Sequence, residues 1–362
     1  MLIASYNVQN LFERASALSA EADTAGAQAV EAQAEINVLL RKPDYEDDRE
    51  RIGELLVELG LAESDGGSAF AMLRQNRGRL VKRPESGGLE VVAKGRADWV
   101  GWVELKTEPT DEQSTRNTAR VIKEVDADVL GVVEAESRRS LRDFSRVMLR
   151  RVGGQPYEHS MVIDGNDDRG IDVGLMTKEG FEFDVVRTHI FELDDGQPLF
   201  SRDCVEYLVR TLSGTDVLVL VNHFKSKRGG GEARRGKQAR RVAEIVRERL
   251  PERAELVVLG DLNDSPDSDT LRPLLEDTPL RDVSESGQFD DGGFPGTFDG
   301  QSEKDKFDYA LLSPRLFDRV EEGGTFRKGV FTGSERWEMF DTIEARVHQA
   351  SDHAAVWARI EL

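Results

Sequence analysis

Short apolar runs that end on polar residues recur along this chain. The run at 257–264 reads Val-Val-Leu-Gly-Asp-Leu-Asn-Asp, so an apolar stretch leads directly into Asp261 and Asn263. Similar runs bordered by polar residues lie at 3–7, 129–134, 217–223, 306–312 and 354–357. Buried strands that stop on polar residues place chemistry at the edge of an α/β sheet. The pattern therefore predicts one acidic site, able to bind a metal, that is assembled from distant segments.

Stretches with apolar residues at helical spacing alternate with these strands. Residues 234–250 place Val242, Ile245 and Val246 on one face of a predicted helix. A second helix is predicted at 139–150, and further β runs lie at 171–176, 185–189 and 204–212. Strands that alternate with helices, together with neighbouring β runs, favour mixed sheets covered by helices.

A section at about 13–111 differs in composition from the rest of the chain. Residues 16–40 are rich in Ala, Glu and Gln, which favour helix. Residues 47–61 carry apolar side chains at helical spacing, and residues 99–105 are typical of a strand. We expect a single domain over 1–362 with a largely helical insertion at about 13–111.

Charge is unevenly distributed along the chain. The 362 residues carry a formal net charge of −20, which argues against a surface that binds polyanions everywhere. Residues 225–241, the basic segment, nevertheless hold eight basic residues against one acidic residue, a local net charge of +7. Such cations beside acidic metal ligands are expected for a phosphate-bearing substrate. The alternative interpretation is a solvated helix face in an arginine-rich protein.

The single cysteine, Cys204, excludes an intrachain disulfide and a cysteine-based zinc site. We expect this thiol to be buried in a strand. No stretch approaches the roughly 20 apolar residues that span a bilayer, and residues 1–6 lack the features of a signal peptide. We therefore expect a cytoplasmic protein without a membrane partner, although a secreted chain would look the same after processing.

Seven short motifs resemble, in their order along the chain, those of the endonuclease/exonuclease/phosphatase superfamily, which includes deoxyribonuclease. They are Ser-Tyr-Asn-Val at 5–8, Gly-Val-Val-Glu at 131–134, Arg-Gly-Ile-Asp-Val-Gly at 169–174, Asn-His-Phe-Lys-Ser-Lys at 222–227, Gly-Asp-Leu-Asn at 260–263, Phe-Asp-Tyr at 307–309 and Ser-Asp-His at 351–353. Each motif is common by chance, but all seven in order are specific. The form at 222–227 is most similar to uncharacterised bacterial nuclease-like members.

The resemblance implies a four-layer α/β sandwich, in which two mixed β-sheets pack face to face with helices outside. It also implies phosphoester hydrolysis that depends on a divalent metal, Mg²⁺ or Mn²⁺. Glu134 and Asp352 are the implied metal ligands, since hard cations prefer carboxylate oxygens. Gln9 stands where some relatives carry a metal-site Asp, which leaves open whether one or two ions bind.

The resemblance also implies a set of catalytic residues, namely His353, Asp308, His223, Asp261, Asn263 and Asn7. Asp308 would fix the tautomer of His353 and raise its basicity. Whether His353 then activates water or stabilises the transition state as imidazolium stays open. Asp261 would orient or deprotonate the water, and Asn263 would hold the phosphoryl oxygen. His223 would protonate the leaving oxygen or bind the phosphate, and Asn7 would bridge metal-bound water and a phosphate oxygen.

Four further residues are implied to serve substrate binding. Arg169, Lys225 and Lys227 would contact phosphate, with solvated surface charge as the alternative. Asp164, after a predicted strand at 160–163, would orient His223.

Together these residues predict a nuclease that acts on DNA by in-line attack of water on a phosphodiester. The basic segment is the reason to prefer a polymer, because contacts to many phosphates need spread cations. A small-molecule or lipid/inositol phosphate phosphodiesterase or phosphatase of the same superfamily is the alternative. A non-catalytic binding module is disfavoured because every expected polar position is filled. No protein partner is evident.

Overall fold

The computed structural model describes residues 1–9, 23–84, 87–106, 112–167, 169–227, 230–299, 302–333 and 336–362. The chain divides into two compact units, the first formed by Met1–Phe12 with Asp111–Leu362 and the second by Glu13–Thr110. That the second unit is an insertion into one catalytic domain stays a prediction. Across the described ranges, none of the helices has the length and apolar character of a membrane span.

The secondary-structure elements follow in chain order. The strands are β1 (Leu2–Asn7), β2 (Ala71–Arg77), β3 (Val81–Lys82), β4 (Glu90–Val91), β5 (Val100–Leu105), β6 (Val129–Ala135), β7 (His159–Ile163), β8 (Asp172–Thr177), β9 (Glu182–Arg187), β10 (Leu193–Asp194), β11 (Gln197–Pro198), β12 (Cys204–Arg210), β13 (Asp216–His223), β14 (Leu256–Asp261), β15 (Arg281–Asp282), β16 (Phe289–Asp290), β17 (Asp308–Leu312), β18 (Val320–Phe326) and β19 (Ala355–Ile360). The helices are α1 (Asp23–Leu40), α2 (Arg49–Glu58), α3 (Glu112–Val125), α4 (Arg138–Phe144), α5 (Glu232–Arg249), α6 (Arg272–Leu275) and α7 (Pro314–Phe317). A π-helical turn (Ser145–Leu149) continues α4.

Two mixed sheets form the centre of the first unit. The first has the strand order β16-β18-β19-β1-β6-β8-β7, with β1 parallel to β6 and antiparallel to β19. The second has the order β15-β17-β14-β13-β12-β9, with β13 parallel to β14 and β17 antiparallel to it. Parallel neighbouring strands end at the same edge of a sheet. The last residues of β1 and β6 therefore lie at one edge of the first sheet, and those of β13 and β14 lie at one edge of the second.

Alternating side chains along the central strands create four layers. On β1, Ala4 and Tyr6 pack into the core that includes residues of α3 and α4, whereas Ile3 packs between the sheets. On β13, Val219 also packs between the sheets, whereas Leu218 packs into the core formed with α5. The order is helices, sheet, sheet, helices, so the predicted four-layer α/β sandwich is confirmed.

Three further predicted strands, one in the first sheet and two in the second, lie close to their expected positions. The runs at 171–176, 185–189 and 204–212 correspond to β8, β9 and β12, with ends shifted by up to three residues. Cys204 is the first residue of β12 and is fully buried. The prediction that this thiol is buried in a strand is therefore confirmed.

The second unit has its own core, built from two helices and two small antiparallel sheets. The helix predicted at 47–61 is α2, and the described part of the one predicted at 16–40 is α1, while residues 16–22 lie outside the described ranges. Trp99 and Leu56 are fully buried in this core. Strands β2 and β5 pair with each other, as do β3 and β4, and β2 was not predicted from the sequence.

Candidate active site

Polar residues at the ends of strands from both sheets meet at one edge of the sandwich. Asn7 ends β1 of the first sheet, and its Nδ2 donates to Oδ2 of Asp261, the last residue of β14 in the second sheet, at 3.1 Å. In the second sheet, Asp261 lies between His223 of β13 and Asp308 of β17. All four side chains are buried. The structure therefore brings these four predicted residues into one place.

His353 and Asp308 form a hydrogen-bonded pair. Nδ1 of His353 donates to Oδ2 of Asp308 at 2.8 Å, and Nε2 lies 3.8 Å from Oδ2 of Asp261. Burial lowers the pKa of His353, but the carboxylates of Asp308 and Asp261 more than offset this and raise the pKa well above its ordinary value. The Ser351 hydroxyl accepts from the backbone N–H of His353 at 3.0 Å, which anchors the segment. The ring is thus held with Nε2 directed toward Asp261.

Asp261 and Asn263 shape the turn that follows β14. Oδ1 of Asp261 accepts from the backbone N–H of Asn263 at 2.8 Å, and Asn263 adopts a φ of 55° that short polar residues tolerate. Nδ2 of Asn263 donates to the carbonyl of Phe224 at 3.1 Å, which leaves its second amide hydrogen for a ligand. Burial raises the pKa of Asp261, while the charge of His353 opposes the rise and that of Asp308 adds to it.

Glu134 and Asp352 are the two carboxylates that lack a hydrogen-bond donor in this group. Glu134 lies at a bulge near the end of β6 with a φ of 65°, and its Oε1 lies 4.0 Å from Nε2 of His223. Burial raises the pKa of Glu134, and the charge of Asp352 raises it further. Among the described residues, no side chain donates a hydrogen bond to either carboxylate. Two neighbouring carboxylates of this kind have the hard oxygen donors that suit Mg²⁺ or Mn²⁺.

A second set of donor atoms belongs to Asp261, Asp308 and His353, whose ligand atoms lie within 4.8 Å of one another. The 2.8 Å hydrogen bond between His353 and Asp308 already engages Nδ1 of the ring. A metal at this trio would compete with that bond. The geometry of this trio therefore favours a hydrogen-bonded pair.

His223 faces the carboxylates with Nε2, which lies 3.7 Å from Oδ2 of Asp261. Its Nδ1 is buried and has no hydrogen-bond partner within the described ranges. Asp164 is exposed, so the prediction that Asp164 orients His223 was wrong. The backbone N–H of Gly165, the next residue, donates to Asp172 at 2.7 Å, which fixes the loop with Asp164 directed outward. Burial lowers the pKa of His223 well below its ordinary value, and Arg202 and Arg169 lower it further.

Sequence reasoning missed two charged residues next to the site, Arg202 and Asp167. The Arg202 side chain is 2% exposed, and its Nε lies 3.0 Å from Oδ2 of Asp167. The predicted phosphate contact Arg169 also pairs with Asp167, at 2.8 Å. Arg202 belongs to none of the seven motifs, and its sole sequence signal was an Arg-Asp pair directly before the predicted strand at 204–212.

The basic segment is largely occupied by contacts within the chain. Four of its cations pair with carboxylates, namely Lys227 and Arg235 with Asp264, Lys237 with Asp194 and Arg241 with Glu192. Arg234 donates to the backbone carbonyls of Leu199 and Pro198, and residue 228 lies outside the described ranges. Much of the local charge of this segment is therefore neutralised, which weakens the sequence argument for a polymeric substrate.

Comparison with known proteins gives one family match and several similar structures. A sequence profile of the Endonuclease/Exonuclease/phosphatase family matches residues 83–288, more than half of the chain. The structure is similar to that of mannosyl-6-phosphatase from Bacteroides thetaiotaomicron VPI-5482, with 18% identity over 69% of this chain and 92% of that chain and a TM-score of 0.53.

Two other solved structures show comparable similarity. One is an endonuclease/exonuclease/phosphatase from Bacteroides vulgatus, with 18% identity over 70% of this chain and 94% of that chain and a TM-score of 0.51. The other is the human Nocturnin catalytic domain with a bound sulfate anion, with 16% identity over 68% of this chain and 85% of that chain and a TM-score of 0.50. At these identities the similarity shows the fold alone. No curated protein matches the chain.

Proposed function

This chain belongs to the Endonuclease/Exonuclease/phosphatase family, whose members hydrolyse phosphoric esters, and from that premise we propose that it is a divalent-metal-dependent phosphodiester hydrolase. One observation carries the proposal: the His353–Asp308 pair, with its 2.8 Å hydrogen bond, lies beside Asp261 and two carboxylates that receive no donor from the described residues. Proton-transfer groups and a cation site at one edge of the sandwich are what hydrolysis of a phosphoester requires.

Glu134 and Asp352 are the residues that would hold the metal ion. Their carboxylates lie close enough for the charge of one to raise the pKa of the other, and a bound cation would remove that repulsion. When bound, Mg²⁺ or Mn²⁺ supplies positive charge that stabilises the charge developing on the phosphoryl oxygens.

The remaining residues are assigned to proton transfer and positioning. Because Asp308 engages Nδ1 of His353, Nε2 is the ring atom that would accept a proton from water or meet the developing charge as imidazolium. Asp261, 3.8 Å from that atom, would orient the attacking water. His223 would bind the phosphate or protonate the leaving oxygen. Water would then attack phosphorus in line with the leaving oxygen.

The two amides would hold the phosphate in place. Asn7 is fixed by its hydrogen bond to Asp261 at 3.1 Å, and Asn263 is fixed by its bond to the Phe224 carbonyl at 3.1 Å. Amides restrained in this way present donors to phosphoryl oxygens without reorganising during the reaction.

For the substrate we propose DNA, which would make the protein a nuclease. Support comes from Lys225 and Arg240 of the basic segment, whose side chains have no carboxylate or backbone acceptor among the described residues. Cations that remain available in this way can contact successive phosphates of a polymer.

A compact phosphoester is the second candidate substrate. The observation that favours it is the pairing of four cations of the basic segment with carboxylates of the same chain. Fewer cations then remain to follow a nucleic-acid backbone, whereas a single phosphate needs only a few charges close to the site.

Nicking of supercoiled plasmid DNA tests the nuclease proposal. We expect the wild type to nick the plasmid with Mg²⁺ or Mn²⁺ and to lose this activity in EDTA. Glu134→Ala should lose the activity as well, whereas Glu179→Ala, at an exposed position outside the site, should keep it. A protein that leaves the plasmid intact but hydrolyses a chromogenic phosphoester with Mg²⁺ would overturn the nuclease assignment in favour of the compact substrate.

A further inference from the structure

Trp102 is an exposed aromatic residue on strand β5 of the second unit. It is 43% exposed, whereas Trp99, three residues earlier, is fully buried in the core of the same unit. The indole N–H of Trp99 donates to Oε1 of Gln75 at 3.0 Å, and that of Trp102 has no acceptor among the described residues. Packing of the second unit therefore explains Trp99 but leaves the indole of Trp102 available to a ligand.

An arginine lies directly opposite Trp102. In the antiparallel pairing of β2 with β5, Arg74 is the partner of Trp102, and Met72 is the partner of Glu104. Directly paired residues point to the same side of a sheet, so these four side chains share the outer face of the two strands. Glu104 pairs with Nε of Arg74, and both of these side chains are exposed. The indole of Trp102 is thus bordered by an exposed, salt-bridged arginine.

Two further arginines near Trp102 are held by backbone carbonyls rather than by carboxylates. Nη2 of Arg77 donates to the carbonyls of Arg96 and Ala97, at 3.1 and 3.2 Å. Nη1 of Arg96 donates to the carbonyl of Gly101, the residue before Trp102, at 3.5 Å. Neither guanidinium has a carboxylate partner in the part of the chain that the structure describes. A carbonyl fixes a guanidinium in place but does not neutralise its charge, so both cations remain able to pair with an anion.

The stretch of chain that contains these arginines is basic within an acidic protein. Residues 74–96 hold seven basic residues against two acidic ones, a local net charge of +5, whereas the whole chain carries −20. Arg74 and Arg83 pair with carboxylates, and the other five cations have no carboxylate partner within the described ranges. Asp98, just outside this stretch, accepts from the backbone N–H of Lys94 at 3.1 Å. In contrast to the basic segment, most of the positive charge here is unpaired and suits a polyanion.

We propose that the ribbon face, formed by Trp102 and Arg74 on the outer side of β2 and β5 with Arg77 and Arg96 beside them, binds single-stranded DNA. The inference rests on the proposed DNA substrate and deepens it by adding a contact for the strand outside the candidate active site. One base would stack on the indole of Trp102, and the guanidinium groups would contact neighbouring phosphates. Stacking on an indole requires a base that is not paired within a duplex, so an unpaired strand is the ligand that fits.

A second copy of this chain is the competing occupant of the ribbon face. Residues 44–58 hold seven acidic residues against two basic ones, so their charge is complementary to that of residues 74–96. The single aromatic residue of this acidic stretch, Tyr45, is fully buried and has no ring to place on Trp102. A single strand of DNA supplies both the negative charges and the rings, which is why we prefer it.

Fluorescence anisotropy of a labelled oligodeoxythymidylate with the full chain in EDTA tests the ribbon face without requiring catalysis. The wild type should bind this strand, and Trp102→Ala should raise the Kd at least about fivefold, since one stacked base is lost. Trp102→Phe keeps a ring and should have an intermediate Kd. Val57→Ala, at an exposed apolar position of the same unit, is the matched control and should leave the Kd unchanged.

A strand of the same length that carries abasic sites separates stacking from charge. The wild type should bind it more weakly than the oligodeoxythymidylate, and wild type and Trp102→Ala should have the same Kd for it. A wild type that does not bind the oligodeoxythymidylate, a Trp102→Ala variant with an unchanged Kd, or an equally large effect of Trp102→Ala on the abasic strand would each overturn the inference.

The salt dependence of binding tests the arginines. Arg77→Gln should flatten the slope of log Kd against log salt concentration by about 0.7, since one phosphate contact is lost. Arg51→Gln, at an exposed arginine of the same unit that pairs with Glu35, is the control and should keep the slope of the wild type. An unchanged slope in a folded Arg77→Gln variant would contradict the phosphate contact, and the Trp102 variants still test the ribbon face if Arg77→Gln does not fold.

Two further measurements separate this inference from its alternatives. In sedimentation velocity, a wild-type dimer that Trp102→Ala dissociates, with no change in the Kd for DNA, would assign the ribbon face to a second copy and overturn the inference. Plasmid nicking with Mg²⁺ by a wild type whose DNA binding does not depend on Trp102 would leave the proposed function standing and remove the ribbon face. Binding as predicted by a wild type that hydrolyses no DNA would remove the proposed nuclease function and leave the ribbon face standing.

Discussion

One carboxylate, Asp308, sets the orientation of His353. The 2.8 Å hydrogen bond to Nδ1 leaves Nε2 as the ring atom that faces Asp261 and the site. Phe298 contacts the same ring, with ring centroids 4.8 Å apart. The imidazole is therefore held by one charged and one apolar neighbour.

Asp308→Asn tests the role of this pair. An amide can donate to Nδ1 and so favour the wrong tautomer, which should lower kcat by about 10²–10⁴-fold, the range of general acid–base contributions. KM should change little, because Asp308 is fully buried and contacts the ring of His353. Steady-state kinetics on a chromogenic phosphoester measure both constants. Asp318→Asn, at an exposed position after α7, is the control, and equal kcat values for the two variants would contradict the assigned role.

The sequence predicted the positions of some site residues correctly and those of others not at all. The strand ends predicted a shared position for His223 and Asp261 because the parallel strands β13 and β14 end at one edge of a sheet. Asp308 begins the antiparallel strand β17 and Asn7 ends β1 of the other sheet, so their place in the site was predicted by the family motifs. Asp164 was misplaced because a loop residue has no periodicity that fixes its direction. Arg202 was missed because its place beside Asp167 depends on two loops that lie far apart in the chain.

At the scale of single elements, helix α5 shows why a basic sequence need not be a binding surface. Its apolar face packs against the second sheet through residues that include Val242 and Ile245. Arg235 on the same helix is 3% exposed and contacts Asp264 at 2.7 Å. Sequence periodicity predicted the helix, but the pairing of its cations depended on acidic residues outside the segment.

Arg235→Gln should destabilise the protein. Removing one partner of a buried ion pair costs about 3–5 kcal/mol when the other charge is left uncompensated. Because Lys227 still contacts Asp264 at 2.9 Å, we expect a smaller loss of about 1–3 kcal/mol. Urea unfolding should show this loss, whereas Arg240→Gln, at an exposed position of the same helix, should stay within about 0.5 kcal/mol of the wild type. Equal stability of the two variants would indicate that Arg235 is not a structural cation.

Strand β12 carries a second charged cluster, centred on Glu206. Its carboxylate contacts His189 at 2.9 Å and Arg249 at 2.8 Å. Burial raises the pKa of Glu206, but His189 and Arg249 outweigh it and lower the pKa from 4.5 to about 2. The folded pKa lies below the unfolded one, so the cluster stabilises the fold above pH 4.5 and loses this stabilisation as the pH falls toward 2.

Glu206→Gln should therefore cost stability at neutral pH and progressively less below pH 4.5. Urea midpoints of the wild type and the variant across this range measure the effect. Glu182→Gln, at an exposed position on β9, serves as the control and should show no such trend. A gap between wild type and Glu206→Gln that is independent of pH would contradict the account.

At the scale of the first unit, the sandwich explains how six separated segments form one site. The bond between Asn7 and Asp261 joins the two sheets directly at the edge where their strands end. Apolar alternation predicted the strands and the family motifs predicted the layers, whereas the pairing of Arg202 and Arg169 with Asp167 became visible only in three dimensions.

The most direct test of the account is the rate of hydrolysis of a chromogenic phosphoester as a function of Mn²⁺ or Mg²⁺ concentration. We predict a rate that rises to saturation with metal for the wild type, vanishes in EDTA, and is lost in Glu134→Ala at every metal concentration. Hydrolysis that persists in EDTA, or a Glu134→Ala variant that responds to metal as the wild type does, would contradict a metal-dependent site at the joined edges of the two sheets.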